Sequence, residues 1–192
     1  WVEDTIYDVQ DGTVATGAAT IVHDVVVTGL TSSGFWAQEA GGGAWSGVYV
    51  YTTSDMDLDL AIGDRVSVWG ETEEYYDLTE IAAEFVLYHG ATTPLSPEIL
   101  VASDLTLAFE SWEGVLVGLE SVTVDDPDLG NGEFSLVEGV VVNDLMFAWD
   151  ELYTLSAGDT FTGVYGVLNY SFEDYKIEPR SEDDLVGYTA GT

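Results

Sequence analysis

Short runs of β-branched and aromatic residues, broken by Gly, Ser, Asp and Pro, recur along most of the chain. The first series covers residues 22–27, 34–39, 47–51, 65–69, 71–81 and 84–88. The second covers 112–119 with 121–124, then 133–137, 140–143, a run opening at Gly158, and a hairpin over 167–177. Runs of this length and composition predict short β-strands in a sandwich or barrel. Helix is expected only near 80–85 and near 103–109, where Ser103 or Asp104 would supply an N-cap.

The two series share a motif. Gly63-Asp64-Arg65-Val66-Ser67-Val68-Trp69-Gly70 returns as Gly158-Asp159-Thr160-Phe161-Thr162-Gly163-Val164-Tyr165-Gly166. In each copy a Gly-Asp turn opens an apolar strand that closes on an aromatic-Gly step, and a second strand then ends in Ile81 or Ile177. The Pro- and Thr-containing segment 90–97 is the best boundary, giving modules at 1–93 and 94–192. Five strands per module, with a long Gly-containing first strand able to bend at a barrel corner, predict an all-β chain of two tandem OB-fold-like Greek-key barrels. Two immunoglobulin-like sandwiches are the alternative.

Charge narrows the partners. The 36 acidic residues face 3 basic ones, a formal net charge of -33. Nucleic acid binding needs Lys and Arg to displace counterions, so direct nucleic-acid contact is not expected, and an anionic membrane surface is disfavoured likewise. Cations are the natural counterparts. Hydrophobic residues make up 46% of the chain, so the charge lies on a folded body and not on a disordered tail. With no cysteine, disulfides and thiolate chemistry are excluded. No run approaches the ~20 apolar residues of a membrane span. The chain opens at Trp1 rather than Met, which reads as a processed or trimmed form.

Val25-Val26-Val27-Thr28-Gly29, Gly34-Phe35-Trp36-Ala37-Gln38-Glu39, Gly47-Val48-Tyr49-Val50-Tyr51 and the Gly63 motif resemble the OB-fold domains that accompany secreted bacterial endonuclease/exonuclease/phosphatase-type nucleases. The same domains occur in related surface lipoproteins without the nuclease. Trp112-Glu113-Gly114-Val115-Leu116-Val117, Gly132-Glu133-Phe134, Gly166-Val167-Leu168-Asn169-Tyr170-Ser171-Phe172 and Tyr175-Lys176-Ile177-Glu178-Pro179-Arg180 are similar to the partner module. The resemblance spans about residues 5 to 186 and rests on strand and turn motifs, so it speaks for fold more than activity. No catalytic residue carries over: His23 and His89 stand isolated in β-contexts.

Candidate sites remain. Asp125, Asp126, Asp128, Asn131 and Glu133 gather oxygen ligands in a Gly-containing turn, the chemistry calcium requires; a solvated hairpin turn is the plainer reading. Asp55, Asp57 and Asp59 alternate onto one face of an extended segment. Trp36, Trp45, Tyr49 and Tyr51 form a candidate aromatic platform for a sugar or base, or else core packing. Tyr75, Tyr76, Tyr170 and Phe172, with Tyr175, suit an interface. No nucleophile elbow, P-loop or dinucleotide fingerprint occurs.

The expectation is therefore a non-catalytic structural protein, secreted or on the cell surface, that self-assembles into a homo-oligomer or filament. Calcium is its candidate cofactor, and residues 1–9 would add as a strand to a neighbour's sheet. The alternative is an accessory glycan- or nucleic-acid-binding module of a larger secreted nuclease.

Overall fold

The computed structural model describes residues 1–53, 56 and 58–191. The first sheet holds β1 (Val2–Asp4), β2 (Ala19–Thr31), β3 (Gly34–Gln38), β4 (Gly47–Tyr51), β5 (Asp64–Tyr75) and β6 (Leu78–Ala91), with helix α1 (Ile6–Gln10) after β1. From β2 onward the pairing runs β2–β3–β4–β6–β5 and returns from β5 to β2, antiparallel everywhere except β4–β6. This closed circuit is the OB-fold order and rules out the sandwich alternative. Alternation along each strand turns Val25, Val27, Phe35, Val48, Val50, Val66, Val68 and Ile81 into the barrel.

The second sheet repeats the plan. It contains β7 (Glu98–Leu100), helices α2 (Ala102–Leu107) and α3 (Phe109–Trp112), β8 (Leu116–Thr123), β9 (Phe134–Ser135), β10 (Val141–Val142), β11 (Thr160–Ser171), β12 (Asp174–Glu178) and β13 (Leu185–Val186). The order β8–β11–β12–β10–β9 closes where Asp125 N–H reaches Ser135 O and Val137 N–H reaches Thr123 O, both 2.9 Å. Each barrel is preceded by a short strand lying parallel to its first long strand, then a short helix that plugs the barrel, with Ile6 and Val9 in the first and Leu105 in the second.

The repeated Gly-Asp pair has a physical cause. Gly63 and Gly158 take φ +92° and +91°, a region that favours glycine. The aspartates then close the same turn: Asp64 Oδ2 accepts Ala61 N–H and Asp159 Oδ2 accepts Ser156 N–H, each at 2.8 Å.

Three expectations are corrected. Residues 80–85 are strand, because Ile81 and Ala83 face the core. Residues 1–9 do not form an extended arm: β1 already pairs with its own β2, and Thr5 with Asp8 makes a capping box that starts α1. The helix at 102–107 has Val101 at its N-cap, and neither Ser103 nor Asp104 caps it. Among the described residues no helix is long and apolar enough to cross a membrane.

Candidate functional site

The barrels meet along a seam built from β3 and β4 of the first and the start of β8 in the second. Trp36 and Tyr49, ring centroids 5.0 Å apart, pack on Leu116, Val167 and Met146. At the centre two backbones touch: a Cβ on Gly47 would overlap the carbonyl oxygen of Gly114. Polar groups lace the contact. Leu116 N–H donates to Gln38 Oε1 at 2.9 Å, Gln10 Nε2 to Glu113 O at 3.4 Å, and Thr79 N–H to Glu113 Oε1 at 3.0 Å. Arg180 of the second barrel, paired with Asp184, also donates to Thr28 O of the first.

This seam corrects the aromatic-platform expectation. The β2–β3 face of an OB-fold, here β3 and β4, is its usual ligand surface, and Trp36 and Tyr49 do stand on it. They are buried beneath the second barrel, 1% and 8% exposed. Trp45 is half-buried, and Tyr51 alone of the four is well exposed.

Glu113 is enclosed in the seam. Burial, the main cause, with Glu110 and Glu74 nearby, pushes its carboxyl up to about 8 against the Thr79 and Gln10 hydrogen bonds. Glu113 Oε2 and Gln10 Oε1 are both buried without partners, and Gln10 Nε2 reaches the Glu113 backbone oxygen at 3.4 Å. A neutral Glu113 carries an O–H, the kind of donor that the Gln10 oxygen lacks. Glu80, on the adjoining strand, is raised to about 7 by burial, then Glu73 and Glu74.

A second constellation lies on the outer face of β5. Ser67 Oγ contacts His89 Nε2 at 2.7 Å and His23 Nδ1 at 3.2 Å, and accepts Asp24 N–H at 3.2 Å. Two β-bulges bring these residues in: His23 and Asp24 together oppose Ser67, and His89 is an extra residue in β6. Bulges re-aim side chains in this way, and Asp24 takes φ +56°. His23 and His89 are thus not isolated.

The second barrel acts as an internal control. Ser121 holds φ +57°, matching Asp24, but β8 and β11 stay in one register there. The spacing from core residue to core residue is Val66 to Val68 in β5 and Phe161 to Val164 in β11. One residue fewer in β5 leaves His23 and Asp24 facing the single residue Ser67 and creates the first-barrel bulge.

Ser, His and Asp here do not form a nucleophilic triad. Ser67 and Asp24 both approach the same nitrogen, His89 Nε2, at 2.7 and 3.9 Å, whereas a triad requires opposite nitrogens. Ser67 is also 1% exposed. Its single proton goes to one imidazole, so the other must donate to it.

The remaining sequence candidates are dispersed. Asp126 Oδ1 accepts Asp128 N–H, and Asp128 Oδ1 accepts Gly130 N–H; these carboxylates fold the turn on itself. Glu133 pairs with the buried Lys176 at 2.6 Å. Asp125 and Asn131 are exposed. Asp59 is exposed, and Asp55 and Asp57 lie outside the described residues. Among the described residues no three His, Asp or Glu side chains are grouped to hold a metal ion. Tyr75, Tyr76 and Phe172 project from two hairpin ends, 60%, 81% and 94% exposed, with Tyr170 half-buried beside them.

No protein-family model matches the chain, and no curated protein matches it. Among solved structures it is similar to the hypothetical protein ygiW from E. coli, at 11% identity and a TM-score of 0.33, over 40% of this chain and 81% of that one.

Proposed function

We propose that this chain is a non-catalytic structural protein of the cell surface or extracellular space that assembles with copies of itself. The observation that carries the proposal is the outer edge of β6. That strand pairs with β4 only through Ala82. From Ala83 to Ala91, among the described residues, it has β5 on one side and no backbone partner on the other. Phe85, Leu87 and Tyr88 are 54%, 41% and 55% exposed along this stretch. No acid falls between Phe85 and Pro97 in a chain that carries 36. An unpaired apolar edge is a template for another strand, and its acid-free part from Phe85 onward is where two strongly acidic copies can approach.

Two supporting points bear on the alternatives. Each Lys, Arg and His lies within 4 Å of an acidic side chain, leaving no basic patch for phosphate. An accessory module gripping a glycan or nucleic acid on the first barrel would need the β3–β4 face, which the second barrel covers. Calcium fits as a diffuse counterion to the acidic surface, screening repulsion between copies.

The test is light scattering and negative-stain imaging across a salt and calcium series. Raised ionic strength should promote assembly of the native chain. Leu87→Glu with Phe85→Glu, both at exposed positions, should keep it monomeric. A native chain that stays monomeric at every salt and protein concentration, or a variant that assembles equally well, rejects the proposal.

A further inference from the structure

The hairpins ending β5 and β11 share an unusual turn. Tyr75 pairs with Leu78 and Ser171 with Asp174, so each loop has two residues. Those residues are Tyr76-Asp77, at φ +51° and +66°, and Phe172-Glu173, at φ +54° and +67°. Two-residue hairpins with both φ positive favour Asn-Gly. Both barrels instead place an exposed aromatic and then an acid there, which costs stability at every position.

The tips belong to one surface. Leu78, which follows the first tip, packs on the cluster that holds Val167 of β11, the strand that ends in the second tip, and Asp77 is among the charges that raise the Tyr170 phenol, after burial and together with Glu173, Glu113 and Asp174. Tyr170 lies against Tyr175 at 4.7 Å, and Tyr175 stacks on Phe109 at 5.0 Å, its hydroxyl donating to Glu110. Tyr75 meets Tyr76 edge-on at 4.8 Å. Aromatic faces are therefore interleaved with carboxylates across both barrels.

We infer that the paired tips are a docking surface for a basic segment of a partner protein, taken through arginine or lysine side chains. Cations stack on aromatic faces, and a guanidinium can stack and fork to a carboxylate at once. The arrangement already holds one cation of its own, Lys176 Nζ, 5.4 Å from the Phe172 ring centre. A second copy cannot supply the occupant: the chain has three Lys and Arg in all, and each already faces an acid. The partner is a different, basic molecule, which separates this surface from the β6 edge.

The probe is a hexa-arginine peptide, titrated by calorimetry at near-physiological and at high salt. The overall negative field attracts any cation, so the decisive variant leaves charge unchanged. Tyr76→Asn with Phe172→Asn removes the rings and suits the left-handed backbone, so it should melt no lower than the native chain. It should weaken arginine-peptide binding about tenfold at near-physiological salt, while Tyr76→Phe binds as the native chain does. Equal affinity in the Asn variant, or no measurable binding by the native chain, overturns the inference.

Discussion

Replacing Glu113 by Gln tests whether the seam is held by a proton. In the native fold the carboxyl ordinarily near 4.5 is pushed up to about 8. Between those values the folded chain retains a proton that the unfolded chain has lost. Stability from this group is therefore full below pH 4.5 and is lost as pH rises through about 8. The greatest slope is ~1.4 kcal/mol per pH unit, so between pH 5 and 8 Glu113 removes about 3 kcal/mol. Glu80, raised to about 7, adds a fall of the same sign over a narrower window. The substituted amide keeps an acceptor for Thr79 N–H and a donor for Gln10 Oε1 without a charge to bury. Urea unfolding from pH 5 to 9 should show Glu113→Gln near native stability at the acid end and about 3 kcal/mol more stable than the native chain at pH 8. If both proteins lose stability in parallel, or if the variant is several kcal/mol weaker at pH 5, the ionised carboxylate holds the seam and the reasoning fails.

Two further perturbations address the same architecture. Gly47→Ala drives a methyl into the carbonyl oxygen of Gly114, so the barrels must part and strand the Leu116–Gln38 and Thr79–Glu113 hydrogen bonds. The expected loss is about 3–5 kcal/mol, with calorimetry resolving two transitions in place of one; a single unshifted transition refutes it. Ser67→Ala deprives Asp24 N–H and both imidazoles of their shared partner and should cost about 2 kcal/mol. Nitrogen NMR of the native chain should find one of His23 Nδ1 and His89 Nε2 protonated and the other bare; matching states at both reject the shared-proton geometry.

Much of the barrel plan is readable in the sequence because it rests on local chemistry. The Gly-Asp turns, the alternating core residues and the Ile-terminated hairpins each have a near-neighbour cause, and each occurs twice. The first helix has a local signal too, Thr5-x-x-Asp8, a capping-box pattern. The bulge that sets His23 and Asp24 against Ser67 is visible as a one-residue difference between the Gly63-to-Gly70 and Gly158-to-Gly166 motifs, but only once the copies are aligned as strands. Seam residues are not legible. Alternation puts Trp36 and Tyr49 outside their barrel, yet whether water or a second barrel lies there depends on distant residues such as Leu116 and Val167. Nothing in the sequence marks Glu113, Glu80 and Glu178, among 36 acids, as glutamates that the fold buries.

The contact between Gly47 and Gly114 has a historical consequence. Duplicated modules joined by a linker can each accumulate changes on their own. Here the main chain of one copy is part of the wall of the other, with Gly114 at φ +73° and no side-chain volume on either side to adjust. Any enlargement at one position must be answered by displacement at the other. At this pair, a change in either half is a change in the surroundings of both.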